Sequence, residues 1–166
     1  MPVRRRSIRT GVRAQRRKLV WATFNSAGFG PIAAGATQRA DLLGDFRVAG
    51  GSVLGTTIMR IHASVHLPFG VVADYWYGGI VVGRLSDIPG TAPAVSTDPE
   101  IDWMLAQAIY STATGAAVDV AKNWTIDLRA KRKMQELDQA LLFCLTNVTA
   151  AAQTPRVFFR TLVALP

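Results

Sequence analysis

The sequence predicts an all-β, mainly antiparallel sandwich or barrel with one or two short helices, led by a cationic arm. Six to eight segments rich in β-branched and aromatic residues run either in polar/apolar alternation or as short apolar stretches. Glycine- and proline-rich stretches separate them, the longest being Ser26 to Thr37 (SAGFGPIAAGAT) and Asp87 to Thr97 (DIPGTAPAVST). The third observation is a segregation of charge along the chain.

Residues 1–18 hold Arg4, Arg5, Arg6, Arg9, Arg13, Arg16, Arg17 and Lys18 with no Asp or Glu, a formal charge of +8. From Leu19 to Pro166, 11 basic residues (19 minus 8) face all 11 acidic ones, so the remainder is formally neutral. A segment so rich in like charge buries too little apolar surface to offset its ordering entropy, which predicts disorder until a polyanion neutralises it. The expected organisation is an arm over 1–18 and one β domain over 19–166, whose 148 residues suffice for a real core.

Nucleic acid is the first-ranked partner of the arm, because phosphates release counterions whatever the base sequence. An organellar targeting peptide is the second, being also Arg-rich and acid-free. An anionic membrane is the third, since Val3, Ile8 and Val12 supply too little apolar surface. No membrane span is expected: Asp74 and Arg84 interrupt Val71 to Leu85, and Ala140 to Ala152 is too short. No apolar core follows the arginines, so no secretory signal is read and synthesis inside the cell is expected.

Taken in order, Arg17 to Asn25 places Leu19, Trp21 and Thr23 on one side of a strand and Val20, Ala22 and Phe24 on the other. Both sides are largely apolar, which predicts burial on both faces. Ser26 to Thr37 reads as a long mobile loop, and its Gly28-Phe29-Gly30 lacks the later Gly, Lys and Ser/Thr of a phosphate-binding loop. Asp41, Leu42, Leu43 and Phe46 suggest one or two helical turns ending near Gly50-Gly51.

Thr57 to Leu67 carries the clearest pattern: Thr57, Met59, Ile61, Ala63, Val65 and Leu67 alternate with Ile58, Arg60, His62, Ser64 and His66, a half-buried strand. Val71 to Leu85, with Gly78-Gly79 in its middle, reads as one long strand with a bulge, or as two strands with a tight turn. Thr97-Asp98-Pro99-Glu100 resembles a capping box opening a short helix anchored by Ile101, Trp103, Met104 and Leu105.

Val120 to Arg129 alternates as another half-buried strand, followed by Arg129-Ala130-Lys131-Arg132-Lys133, the one basic cluster outside the arm. Lys131 to Leu142 fits a helix as well as a turn followed by a strand, and we take the turn and strand. Arg156 to Leu165 closes the chain as an apolar strand that must be covered or paired.

No catalytic residue is assigned, and no cofactor. There is no GxSxG, HExxH, phosphate-binding loop or CxxC. His62 and His66 would share a metal on a helix, but on a strand rising ~3.3 Å per residue they lie roughly 13 Å apart. They read, with Arg60, as an outward polar ladder. Cys144 sits inside LLFCLTNV and reads as a small buried hydrophobe. Asp98, Glu100 and Asp102 fit a helix N-terminus, with a calcium site or subunit contact as the sharper alternative. No metal ligand is assigned.

The acid-free arginine arm followed at once by short strands resembles the coat proteins of small icosahedral viruses built on a single jelly roll. The segments GTTIMRIHASVHL, DPEIDWML and TIDLRAKRKMQELDQALLF are similar to small virion structural proteins of phages and environmental single-stranded DNA viruses. The resemblance spans residues 17 to 165, although 148 residues is short for such a coat. It implies a jelly-roll shell subunit located in the virion and made in the host cytoplasm or nucleus. Its partners would be identical subunits in a closed shell and a single-stranded DNA or RNA genome, bound by Arg4, Arg5, Arg6, Arg9, Arg13, Arg16, Arg17 and Lys18. Trp76, Tyr77, Trp103 and Phe158 are candidate subunit contacts.

The competing expectation is a cellular nucleic-acid-binding barrel of ribosomal or oligonucleotide-binding type. Such barrels stack bases on aromatics set among basic residues. Along this chain only Phe158-Phe159-Arg160 approaches that pattern.

Overall fold

A computed structural model describes residues 17–25, 29–48, 53–69, 74–84, 102–111 and 120–166. Strands β1 (Leu19–Asn25) and β2 (Thr37–Asp41) precede a single helical turn and a half, α1 (Gly44–Val48). Then follow β3 (Thr57–Phe69), β4 (Tyr75–Arg84), β5 (Asp102–Tyr110), β6 (Val120–Lys133), β7 (Gln139–Asn147) and β8 (Arg156–Ala164). They form two four-stranded sheets, ordered β1-β8-β3-β6 and β2-β7-β4-β5. Every pairing is antiparallel. Successive strands change sheet at each connection except β4 to β5, which stay neighbours. Eight strands in two sheets with these crossovers make a jelly roll.

Inward side chains of the two sheets meet in one core, as alternation requires. Phe143 of β7 lies at its centre, with ring centroids 4.6 Å from Phe159, 5.8 Å from Phe29 and 6.2 Å from Trp124. On β3, Ile61, Ala63, Val65 and Leu67 are buried while His62, Ser64 and His66 are exposed, as the alternation predicts. The pattern fails at Ile58, which is fully buried, because Met59 is an extra residue against β8 and resets the register.

Three expectations are corrected. Strand β1 is not buried on both faces: Leu19 and Trp21 are 57% and 43% exposed, because β1 is an edge strand with only its inner side against the core. The glycine-rich stretch is no mobile loop from Phe29 onward. Phe29 and Ile32 are buried, and Ile32 exchanges backbone hydrogen bonds of 2.8 and 3.0 Å with Gln153.

Residues 102–105 belong to strand β5, not to a helix. An extra residue, Met104, separates the pairs Ile80↔Leu105 and Val81↔Trp103, which erases the period-two signature there. The capping box and the Asp87 to Thr97 loop lie outside the described residues. Of the two alternatives for Val71 to Leu85, the structure has one strand, with the register shift against β5 at Ile80/Val81, and Gly78-Gly79 is a stretch of that strand approached by tryptophans on both faces. A Cβ on Gly78 would stand 2.2 Å from Trp124 Cζ3, and one on Gly79 would stand 2.6 Å from Trp103 Cζ3.

Between β6 and β7 the chain makes a turn followed by a strand, as expected for residues 131–142. Cys144 is buried, and desolvation pushes its thiol up to about 11.

Candidate nucleic-acid interface

Of the arm residues, Arg4, Arg5, Arg6, Arg9, Arg13 and Arg16 lie outside the described residues. Arg17 and Lys18 are anchored to the domain. Lys18 O accepts from Leu165 N at 2.8 Å, and Arg17 donates to Thr57 Oγ1 at 3.2 Å. The arm therefore joins the domain at one end of the β1-β8-β3-β6 sheet.

Strand pairing brings the second basic cluster to that end. The register aligns Leu19 with Ala164, Ala164 with Thr57 and Thr57 with Lys133. Three strand spacings of ~4.8 Å separate the arm root from Lys133 by roughly 14 Å. Lys131, within this cluster, takes a left-handed backbone (φ 53°), which turns the chain between Arg129 and Arg132.

The outward side chains of the sheet form further rows. Trp21, Leu162, Arg60 and Arg129 make one. Thr23, Arg160, His62 and Asp127 make the next, then Asn25, Phe158, Ser64 and Thr125, and last Arg156, His66 and Asn123. Arg160 places its guanidinium carbon 4.7 Å from the Trp21 ring centroid, a cation–π contact. Arg60 clasps Asp127 with two nitrogens, its Nε donating to Oδ1 at 2.6 Å. That hydrogen bond holds the Asp127 carboxyl below its ordinary value and raises Arg60. His66 Nδ1 donates to Asn123 Oδ1 at 2.9 Å.

The neutrality of the domain is thus a sum and not a distribution. Arg60, Arg129, Lys133, Arg156 and Arg160 share this face with one described carboxylate, Asp127, so five cations of the domain minus one anion leave +4, beside the arm root at Arg17. The acids of the β6–β7 turn, Glu136 and Asp138, pair instead with Arg84 at the end of β4. Asp41 pairs with Arg47 at 3.2 Å.

No protein-family profile matches the chain, and no curated protein matches it. Its structure is similar to that of the coat protein of tobacco streak virus, with 16% identity, 89% of this chain and 87% of that chain covered, and a TM-score of 0.43. It is also similar to a chain of desmodium yellow mottle tymovirus, with 12% identity, 90% and 87% covered, and a TM-score of 0.42. A chain of empty-head turnip yellow mosaic virus gives 11% identity, 99% and 89% covered, and a TM-score of 0.38.

The structure separates the remaining candidates. Trp76 is fully buried, with Nε1 donating to Pro68 O at 2.8 Å, so it is core and not a subunit contact. Tyr77 and Trp103 are half-buried, and Phe158 is 44% exposed. Asp98 and Glu100 lie outside the described residues, and Asp102 opens strand β5. Among the described residues no group of three or more His, Cys, Asp or Glu could hold a metal ion.

Sequence reasoning missed the basic, aromatic face because its members come from four strands. The exposed alternate positions of β3 and β8 were the available signal. What joins them to Trp21 and Arg129 is strand order, which no local pattern carries.

Proposed function

We propose that the chain is a coat subunit of a virion, which assembles with copies of itself into a closed shell and holds a single-stranded genome without reading its sequence. The observation that carries the reading is the placement of the acid-free arm. Its root, Arg17 and Lys18, stands at the end of the jelly-roll sheet where the basic cluster Arg129 to Lys133 also lies, which supports a cationic site shared by arm and domain. Arg4, Arg5, Arg6, Arg9, Arg13 and Arg16 would neutralise phosphates, with Arg17 and Lys18 as the hinge between arm and domain. No catalytic or cofactor chemistry is part of the proposal.

The test has two arms. Size-exclusion chromatography with absorbance at 260 and 280 nm, followed by electron microscopy, should reveal uniform closed particles containing nucleic acid. In the full chain, replacing the six arm arginines 4, 5, 6, 9, 13 and 16 by Gln should lower the slope of log affinity against log salt by about 4, at ~0.7 per phosphate contact. An unchanged slope removes the arm from the site.

A second reading, a cellular nucleic-acid-binding barrel, is supported by one observation. Arg160 stands over exposed Trp21, the aromatic-among-basic arrangement that the linear sequence lacks. Binding of oligonucleotides by a species that never forms particles would favour it.

A further inference from the structure

We infer that the outer face of the β1-β8-β3-β6 sheet is itself a binding surface for single-stranded nucleic acid, with bases stacked on Trp21 and Phe158 and phosphates held by Arg156 and Arg160. The inference rests on the nucleic-acid reading above and extends it from the arm to the folded domain.

Two large aromatic rings stand exposed on a face that is otherwise cationic and hydrophilic. Isolated exposed aromatics need no explanation, but these two share one face with an arginine beside each. Arg160 covers Trp21 from the neighbouring strand, and Arg156 lies two residues from Phe158 on the same side of β8. Trp21 pairs with Leu162, four residues along β8 from Phe158. Four residues at ~3.4 Å and one strand spacing of ~4.8 Å put the rings roughly 14 Å apart. The sites between and beside them are Thr23, Arg160, His62 and Ser64; Arg160 lies against Trp21, and both rings keep more than two-fifths of their surface exposed.

Charge decides the occupant. The face carries a net +4 against a domain that sums to zero, so a polyanion is favoured and a second copy of the same face is repelled. Duplex buries the π-faces of its bases, whereas single strands present them for stacking. The arm root lies on the first row of the same face, so one strand can run from arm to sheet without leaving positive potential.

The experiment uses the full chain, a fluorescein-labelled thymidine oligonucleotide and a photo-crosslinkable 4-thiothymidine version of it. Crosslinks mapped by mass spectrometry should fall on peptides containing Trp21 or Phe158 as well as on residues 1–18. Trp21→Ala and Phe158→Ala should each weaken binding on the order of tenfold. Arg156→Gln with Arg160→Gln should lower the salt slope by about 1.4. Both arginines are exposed, so this pair leaves the core untouched and keeps the inference falsifiable if an aromatic variant fails to fold. Crosslinks confined to residues 1–18, with the Gln pair binding as wild type, would overturn the inference and leave the arm reading standing. Loss of nucleic-acid binding only in the arm variant would have the same meaning. Face variants that change particle assembly but not oligonucleotide affinity would make the face a subunit contact and overturn it also. No oligonucleotide binding by the wild type would overturn both readings.

Discussion

Gly78→Ala tests whether the two tryptophans were accommodated by deleting side chains from β4. The new Cβ would stand 2.2 Å from Trp124 Cζ3 and 2.7 Å from Cη2, against the 3.4 Å at which ordinary contact begins. The ring must therefore retreat by roughly 1.2 Å (3.4 minus 2.2). Trp124 is nearly buried and packs against Phe143, itself in contact with Phe159, and the room it has is a partly open cavity of about 150 Å³ that Leu105, Gln107 and Ile126 also line. Overpacking of this kind costs ~1–3 kcal/mol or more, while Ala in place of Gly returns ~0.5–1 kcal/mol through strand entropy. The expected net loss is about 2 kcal/mol, or a fall in Tm of about 4–8 °C for a domain of this size.

Urea unfolding followed by tryptophan fluorescence measures it, with the m-value expected to stay constant. Trp124→Phe, combined with Gly78→Ala, should recover at least about 1 kcal/mol relative to the sum of the single changes. Gly30→Ala, with nothing within 4 Å of its new Cβ, serves as the control and should lie within about 0.5 kcal/mol of wild type. A Gly78→Ala protein as stable as wild type, or no coupling to Trp124, would refute the close-approach account.

Asn147 is fully buried; its amide donates to Ile32 O (2.7 Å) and Ala151 O (2.8 Å), and its oxygen accepts from Thr149 N (2.9 Å). Asn147→Ala should cost about 3 kcal/mol in urea unfolding, because each abandoned buried group costs ~1–3 kcal/mol, and Asp should not restore it since a carboxylate cannot donate. Asp127→Asn should release Arg60 to phosphate and steepen the salt slope of nucleic-acid binding by about 0.7. The pair's stabilisation is full above the ordinary carboxylate value of 3.8 and is lost as pH falls through the lowered value of Asp127, so thermal melts should weaken there and the Asn variant should not share that step. Cys144 should resist thiol reagents at pH 8 in the folded chain and react at once in urea. Its thiol is raised from 9.0 to about 11, so its contribution to stability falls as pH rises from 9 toward 11, read by urea midpoints across that range.

The sequence by itself determined the strand content, the outward ladder of His62 and His66, the buried thiol of Cys144 and the acid-free +8 charge of residues 1–18. Each is a local property, set by alternation or by composition within a few residues. It misjudged β1, whose two apolar sides would suit a central strand, because edge or centre is decided by which strands pair. It read a helix from the capping box at Thr97 to Glu100, and the extra residue at Met104 hid the strand period of residues 102–105 that would have opposed it. Only the tertiary structure decided that Gly78 and Gly79 lie under Trp124 and Trp103, contacts between residues distant in the chain. The tertiary structure likewise decided that a domain of zero net charge has one cationic face. Net charge is a sum over residues, whereas potential depends on where strand order β1-β8-β3-β6 sets Arg60, Arg129, Lys133, Arg156 and Arg160 side by side.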